Sequence, residues 1–323
     1  MNHTVGWGIL GAGRIAGKFA TDAKLVPGAR LVAVGSRSAE KGAEFARQNG
    51  VERSYGSYAE LVADPDVDAI YVATPHPMHC EHTLLALDAG KAVLCEKPFA
   101  VTAREARLMI ERARERKLFL MEAMWTRFNP LTAQVRQWIS EGRIGEPRMV
   151  TIDFGFRAAW NPESRLLNPA LAGGALLDVG VYVLAYASMI FGRPAQIQAV
   201  AHIGETGVDE QTAMVLRYAG GQIASLTCAV RTPSPHGARI DGTEGAIEIP
   251  AFWHATTARL IRPKEDPVEA TGTHGFQFEI AEATACIAAG QLESPQMPLD
   301  ETLAIAETMD EVRRQIGVRY PFE

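Results

Sequence analysis

Up to Met121 the chain alternates short apolar runs with amphipathic stretches. Residues 4–10, 31–35, 68–73, 92–95 and 118–121 are apolar runs, several rich in β-branched side chains, and are predicted as strands. Residues 14–25, 39–48, 78–89 and 102–116 carry helical spacing between them. The last of these opens on Thr102 with Glu105 three residues later, a capping box, and residues 78–89 stop at Gly90. Apolar strands alternating with amphipathic helices predict a parallel sheet covered on both faces.

Beyond Glu122 the pattern changes. Residues 131–140 are predicted helical, residues 147–156 a strand, and residues 173–190 a long apolar helix. Between residues 196 and 261 alternating segments such as QIQAVAHI, TAMVLRY and QIASLTCAV are separated by turn signals. Two helices, 276–289 and 299–316, close the pattern. The expectation is an α/β chain: a Rossmann domain over residues 1–122, then a substrate-binding and dimerisation domain over residues 123–323, an α+β domain with an open, mostly antiparallel sheet. Its strands carry apolar residues on what reads as both faces (Ala213, Val215 and Leu216, or Leu226, Cys228 and Val230). A monomer would leave one such face wet, so a homodimer is expected.

Composition narrows the function classes. Apolar residues make up 47% and charged residues 22%, enough for sizeable cores. A net charge of −6 favours neither nucleic acid nor an anionic membrane as a partner. No basic stretch precedes the first apolar run, and the charge-free residues 179–192 are shorter than the ~20 residues that span a bilayer. A cytoplasmic location is expected, without membrane association. Cys80, Cys95, Cys228 and Cys286 are widely spaced and are expected to be reduced thiols.

The first strand runs into Gly11-Ala12-Gly13-Arg14-Ile15-Ala16, which opens the first helix. A G-x-G-x-x-A in strand-turn-helix context points to a dinucleotide, its pyrophosphate on the helix N-terminus. At the end of the second strand, Val34-Gly35-Ser36-Arg37-Ser38 has no acidic residue for a ribose 2′-hydroxyl. Two hydroxyls and a guanidinium suit a 2′-phosphate, so NADP is expected over NAD. Thr74, His76 and His79 follow the third strand, at the edge where ligands of such sheets lie. His76, His79, Cys80 and His82 also invite zinc, but no second ligand cluster stands at the usual spacing. No metal is expected.

The stretch KAVLCEKPFAV, residues 91–101, poses its own question: an apolar strand ends on Glu96 and Lys97 with Pro98 behind them. Neighbouring strand side chains point to opposite faces, so the two charges need separate partners. With the N-terminal glycine motif and GGALLDVGVY (residues 173–182), this E-K-P makes the chain resemble the Gfo/Idh/MocA (glucose–fructose oxidoreductase/inositol dehydrogenase) family over essentially its whole length. MEAMWTRF (residues 121–128), ETGVDE (205–210) and EVRRQIGVRYP are similar to the branch holding dimeric dihydrodiol dehydrogenase and the NADP-dependent D-xylose dehydrogenases. The resemblance implies a Rossmann domain, an outward-facing second sheet and a site between the domains with Lys97 beside the nicotinamide. Tyr182 stands where many members carry histidine.

Asp178 and Tyr182 are spaced i, i+4 on an otherwise apolar helix and so share a face. A carboxylate there is costly unless paired; the alternative to a catalytic role is a structural pair and a core tyrosine. Oxidation of a secondary alcohol needs a base for the hydroxyl proton. Tyr182 is the candidate, with a neighbouring cation such as Lys97 to lower its pKa from near 10; Lys97 as the base itself is the rival. Trp125 and Phe128 form either a substrate wall or interdomain core, Arg127 could bind a hydroxyl or phosphate, and Trp160 and Arg157 are weaker candidates. The leading expectation is an NADP-dependent oxidoreductase of a cyclic polyol, aldose or dihydrodiol. A glycosidase using bound NAD as transient oxidant and a non-catalytic NADP-binding sensor are the alternatives.

Overall fold

A computed structural model describes residues 4–323. The chain divides into two compact units, Met1–Trp125 with Gly275–Leu303, and Thr126–His274 with Ala304–Glu323.

In the first unit six parallel strands run in the order β3-β2-β1-β4-β5-β6. They are β1 (Val5–Leu10), β2 (Ala29–Gly35), β3 (Arg53–Tyr55), β4 (Ala69–Val72), β5 (Ala92–Glu96) and β6 (Leu120–Ala123). Every residue of β1, β4, β5 and β6 is buried, as expected of a sheet with covered faces. Strand order reverses between β1 and β4, which places a crevice at their carboxyl ends. The intervening helices are α1 (Arg14–Ala23), α2 (Ala39–Asn49), α3 (Tyr58–Ala63), α4 (His79–Asp88) and α5 (Ala103–Arg116). The capping box at Thr102 and Glu105 is present in full. The sequence pattern missed β3 and α3: a three-residue, half-buried edge strand and a two-turn helix are too short to show a period.

The second unit holds α6 (Pro130–Ser140), α7 (Val181–Phe191) and an eight-stranded sheet of order β14-β13-β12-β11-β7-β10-β9-β8. Its strands are β7 (Pro147–Gly155), β8 (Gln196–Ile203), β9 (Asp209–Arg217), β10 (Ile223–Ala229), β11 (Ala238–Gly242), β12 (Ala246–Ile249), β13 (Thr257–Ile261) and β14 (Val268–Thr271). One central pair, β7 with β10, is parallel, so the sheet is mixed; the other pairs are antiparallel. Burial alternates along β9, with Thr212, Met214 and Leu216 inward and Ala213 and Val215 outward. Leu226 and Cys228 both face inward, which corrects their placement on opposite faces: residues two apart on a strand share a side. The 23 residues Pro169–Phe191 are long and apolar enough to cross a membrane, contrary to the estimate from the charge-free run alone, but the segment is mostly buried inside the protein as core.

Helix α8 (Gln277–Ala288) and the first residues of α9 (Leu299–Ile316), whose remainder stays in the second unit, correct the division at residue 122. The break falls at Trp125, and Gly275–Leu303 returns to the first unit. There the Trp7 indole donates to Thr284 Oγ1 at 3.2 Å, the Phe276 amide to Asp22 at 2.8 Å, and the Leu120 amide to the Leu292 carbonyl at 3.1 Å. Helical periodicity marks an apolar face but not which sheet will cover it.

Candidate active site

At the carboxyl edge of the parallel sheet, Gly11 has φ +107°, and a Cβ there would stand 2.9 Å from the Ala73 carbonyl oxygen. Only glycine suits that turn. A Cβ on Gly13 would meet nothing within 4 Å, so the backbone stays open to close approach. Ala16 is fully buried, and the exposed Arg14 and Ile15 begin α1. The first turn of α1 has neither a side-chain cap nor an acidic residue. Its amide donors and partial positive charge are thus available to an anion, and the cradle fits a pyrophosphate.

Ser36 is buried and its hydroxyl accepts from the Ser38 amide at 3.2 Å; Ser38 in turn caps α2 through the Lys41 amide at 3.3 Å. Arg37 is exposed, its guanidinium beside the Tyr58 hydroxyl, and the Tyr58 ring meets His82 edge-on at 4.7 Å. His82 Nδ1 lies 3.0 Å from Thr74 Oγ1. Half-buried Thr74 and His76 remain at the edge. His79 does not line it, which corrects its assignment as a cofactor contact: its side chain is fully buried, with Nδ1 2.8 Å from the Pro98 carbonyl and Nε2 2.8 Å from the Thr74 carbonyl. Only an imidazolium would donate to both, but burial holds its pKa down to about 4, so the neutral ring donates from one nitrogen at a time.

The two charges that end β5 have separate surroundings. Glu96 is buried; one carboxylate oxygen accepts from the Tyr71 hydroxyl and the other from the Lys97 amide at 3.1 Å. Glu122, at the end of β6, accepts from the Phe99 amide at 3.2 Å. His79 faces the Pro98 carbonyl, and the Lys97–Pro98 peptide is cis. Lys97, itself half-buried, therefore rides on a backbone held from three sides at the crevice. Glu96 supports that backbone directly.

In the second unit, the segment carrying Asp178 and Tyr182 is not a uniform α-helix: a π-turn, Leu176–Gly180, precedes α7. Asp178 pairs with Arg165 at 2.6 Å, a partner thirteen positions earlier in the chain that no helical period points to. Gly174 adopts φ +120°, where a Cβ would collide with Asp209, whose carboxylate accepts from the Leu176 amide at 2.8 Å. Tyr182 is 7% exposed and its ring lies 5.5 Å from Phe154. Phe154 stacks on Trp253 at 5.1 Å, and the Trp253 indole donates to His236 Nδ1 at 3.3 Å. Sequence reasoning missed Phe154, Trp253 and His236. The only signal was an aromatic at an inward position of β7.

The weaker candidates take definite places. Arg127 is 5% exposed and donates to the Ala185 carbonyl at 3.2 Å, so it serves the interior of the second unit and not a ligand. Phe128 is buried; Trp125 is buried against Phe276 with ring centroids 5.5 Å apart. Trp160 is largely exposed and lies under the Arg231 guanidinium at 5.5 Å, while Arg157 bridges to Arg231 in the loop after β7. Among the described residues no group of three or more His, Cys, Asp or Glu side chains is arranged to hold a metal, and all four cysteines are buried and unbridged.

Residues 5–124 match the model of an oxidoreductase family with an NAD-binding Rossmann fold, and residues 132–248 match the GFO/IDH/MocA C-terminal domain. The chain belongs to the Gfo/Idh/MocA family. It is 40% identical over 328 residues to trans-1,2-dihydrobenzene-1,2-diol dehydrogenase of Mus musculus and 37% identical to that of Homo sapiens, in both cases across 98% of each protein. Among solved structures, an aldose-aldose oxidoreductase from Caulobacter crescentus superposes with a TM-score of 0.89 at 27% identity, covering 97% of both chains. A 3-ketoreductase from Actinomadura kijaniata, in complex with NADP and TDP-benzene, superposes with a TM-score of 0.86 at 25% identity, covering 97% of this chain and 98% of the other. The protein is an NAD(P)-dependent dehydrogenase or reductase.

Proposed function

We propose that the protein is an NADP-preferring oxidoreductase of cyclic diols, cyclic polyols or aldoses. The carrying observation is the crevice edge of the first unit: an uncapped α1 N-terminus, Arg37 in place of an acidic residue, and a braced Lys97. Arg37 takes the 2′-phosphate with Ser36, and Tyr58 steadies its guanidinium. Bound there, NADP supplies the hydride acceptor.

Tyr182 takes the substrate hydroxyl proton and Lys97 supplies the positive charge that favours its phenolate. Asp178 holds the segment that carries Tyr182 through Arg165. The stacked Phe154 and Trp253 give a flat apolar surface next to Tyr182, suited to a ring-shaped substrate. The dihydrodiol dehydrogenases at 37–40% identity support the diol within this class, and the aldose-aldose oxidoreductase supports the sugar.

The protein functions in the cytoplasm as a homodimer. Val200, Val215, Met149 and Ile223 lie exposed on the outward face of the mixed sheet, which supports pairing of two such faces.

The test is an NADP+ reduction screen over dihydrodiols, cyclitols and aldoses, repeated with NAD+. Turnover of a ring substrate with free exchange of NADP is expected. Absence of turnover across all three groups, with NADP bound, would leave a sensor; a cofactor that never exchanges would leave the redox glycosidase.

A further inference from the structure

Three of the buried carboxyl groups of the first unit act on one another electrostatically: Asp22 on α1, Glu96 at the end of β5 and Glu279 in the first turn of α8. Two of them have their charge met. Asp22 accepts from Lys18 Nζ at 2.7 Å and from the Phe276 amide at 2.8 Å. Glu96 accepts from the Tyr71 hydroxyl and the Lys97 amide.

Glu279 differs. It is fully buried, and neither carboxyl oxygen has a hydrogen-bond partner among the described residues. The charges that act on it are those of Glu96 and Asp22, both acidic. Of the cations near by, Lys18 is bound to Asp22. Glu282, on the next turn of α8, is engaged by Ser294 and Gln296. From β1 the nearest polar contact to this helix is the uncharged Trp7 indole on Thr284. An isolated buried carboxylate beside two others is strongly unfavourable, whereas a carboxylic acid carries no charge to desolvate. Burial first, then the negative neighbours, push its pKa well above the ordinary carboxylate range.

We propose that Glu279 is kept as an uncharged carboxylic acid within reach of the charge on Glu96, and that it is a positioning residue whose neutrality lets Glu96 stay ionised and hold the Lys97 amide. If both acids carried charge, their repulsion would work against the bonds that Glu96 makes to Tyr71 and Lys97. The inference rests on the role proposed for Lys97, and the test keeps the two apart.

Glu279→Gln keeps the shape and removes the ionisation. Infrared spectra of the wild type at neutral pH, with carbon-13 in glutamate, are expected to show a buried carboxylic-acid C=O band that the variant lacks. Only carboxylate bands would overturn the proposal, and this readout on the wild type does not depend on the variant folding.

Unfolding against pH gives the second readout. The folded-state pKa is raised above the unfolded one. The proton's stabilising contribution is therefore complete below the unfolded value of about 4.3 and is lost as pH rises toward the folded value. The Gln variant should match the wild type near pH 4 and gain up to about tenfold in folding equilibrium per pH unit above that. A difference that does not change with pH would overturn the proposal.

The third readout is the pH profile of kcat with the best substrate from the NADP+ screen. Wild-type activity should fall at the alkaline end as Glu279 ionises, while the Gln variant keeps within about twofold of its neutral value. Coincident profiles would overturn the positioning role even if the infrared band is present. A fully active Lys97→Met enzyme would instead sink the role of Lys97 and leave the buried acid standing.

Discussion

The two sheets of this protein put their residues to different uses. The parallel sheet buries every residue of four of its strands and offers ligands only the carboxyl edge. The chemistry proposed there follows how strands end: Gly11 after β1, Ser36 and Arg37 after β2, Thr74 after β4, Lys97 after β5. The mixed sheet instead sorts residues by face, with Met214, Leu226 and Ile240 inside and Val215, Val200 and Met149 outside. Along the first sheet position in the strand decides role, and along the second parity does. An edge can be tuned residue by residue at small cost to the core, whereas a face works only as a set.

The largest effect is expected at the edge. Lys97→Met should lower kcat about a thousandfold or more while leaving NADP affinity within a few-fold, and Tyr182→Phe should cost a similar amount. The double variant should lose little more than either, because residues serving one proton transfer are not additive. Additive losses in steady-state kinetics would give the two residues independent roles, and an active Tyr182→Phe enzyme would move the base to Lys97.

Next comes the contrast between faces. Leu226→Asp puts a charge on the covered face and should prevent folding, a cost of more than about 3 kcal/mol. Val215→Asp, on the open face of the neighbouring strand, should leave the thermal midpoint nearly unchanged and shift the light-scattering mass from two subunits to one. A wild type that scatters as a single subunit would remove the dimer, and equal damage from both substitutions would remove the distinction between faces.

The smallest effect concerns the second strand end. Arg37→Ala should reduce kcat/KM for NADP by about thirty- to a hundredfold and leave NAD use almost unchanged, as for one lost charge-assisted contact. A wild type that prefers NAD, or a variant with unchanged NADP kinetics, would break the reading of this edge.

What the sequence carried follows the same division. Elements with a period over several turns were legible: β1, α5 with its capping box, and α9, whose bounds Leu299–Ile316 match the pattern. The glycine turn and E-K-P were legible because backbone demands confine residue types. The partners of those residues were not. Arg165 meets Asp178, Glu122 meets the Phe99 amide, and Trp253 meets Phe154 across separations that no local period records. His79 and Arg127 were misplaced for the same reason: a polar residue near an edge looks alike in sequence whether it faces solvent or ties two backbone segments together.

The return of Gly275–Leu303 to the first unit has a consequence for synthesis. The ribosome releases the glycine turn, Arg37 and Lys97 early, yet Trp7, Asp22 and Leu120 meet Thr284, Phe276 and Leu292 only after the mixed sheet has emerged. A nascent chain paused at the end of β14 carries all the strands of the cofactor-binding sheet and lacks the helix that completes its interior. The part of the molecule that is translated first is therefore completed only after residues 126–274 of the other unit have been made, and the other unit is completed last, by Ala304–Glu323.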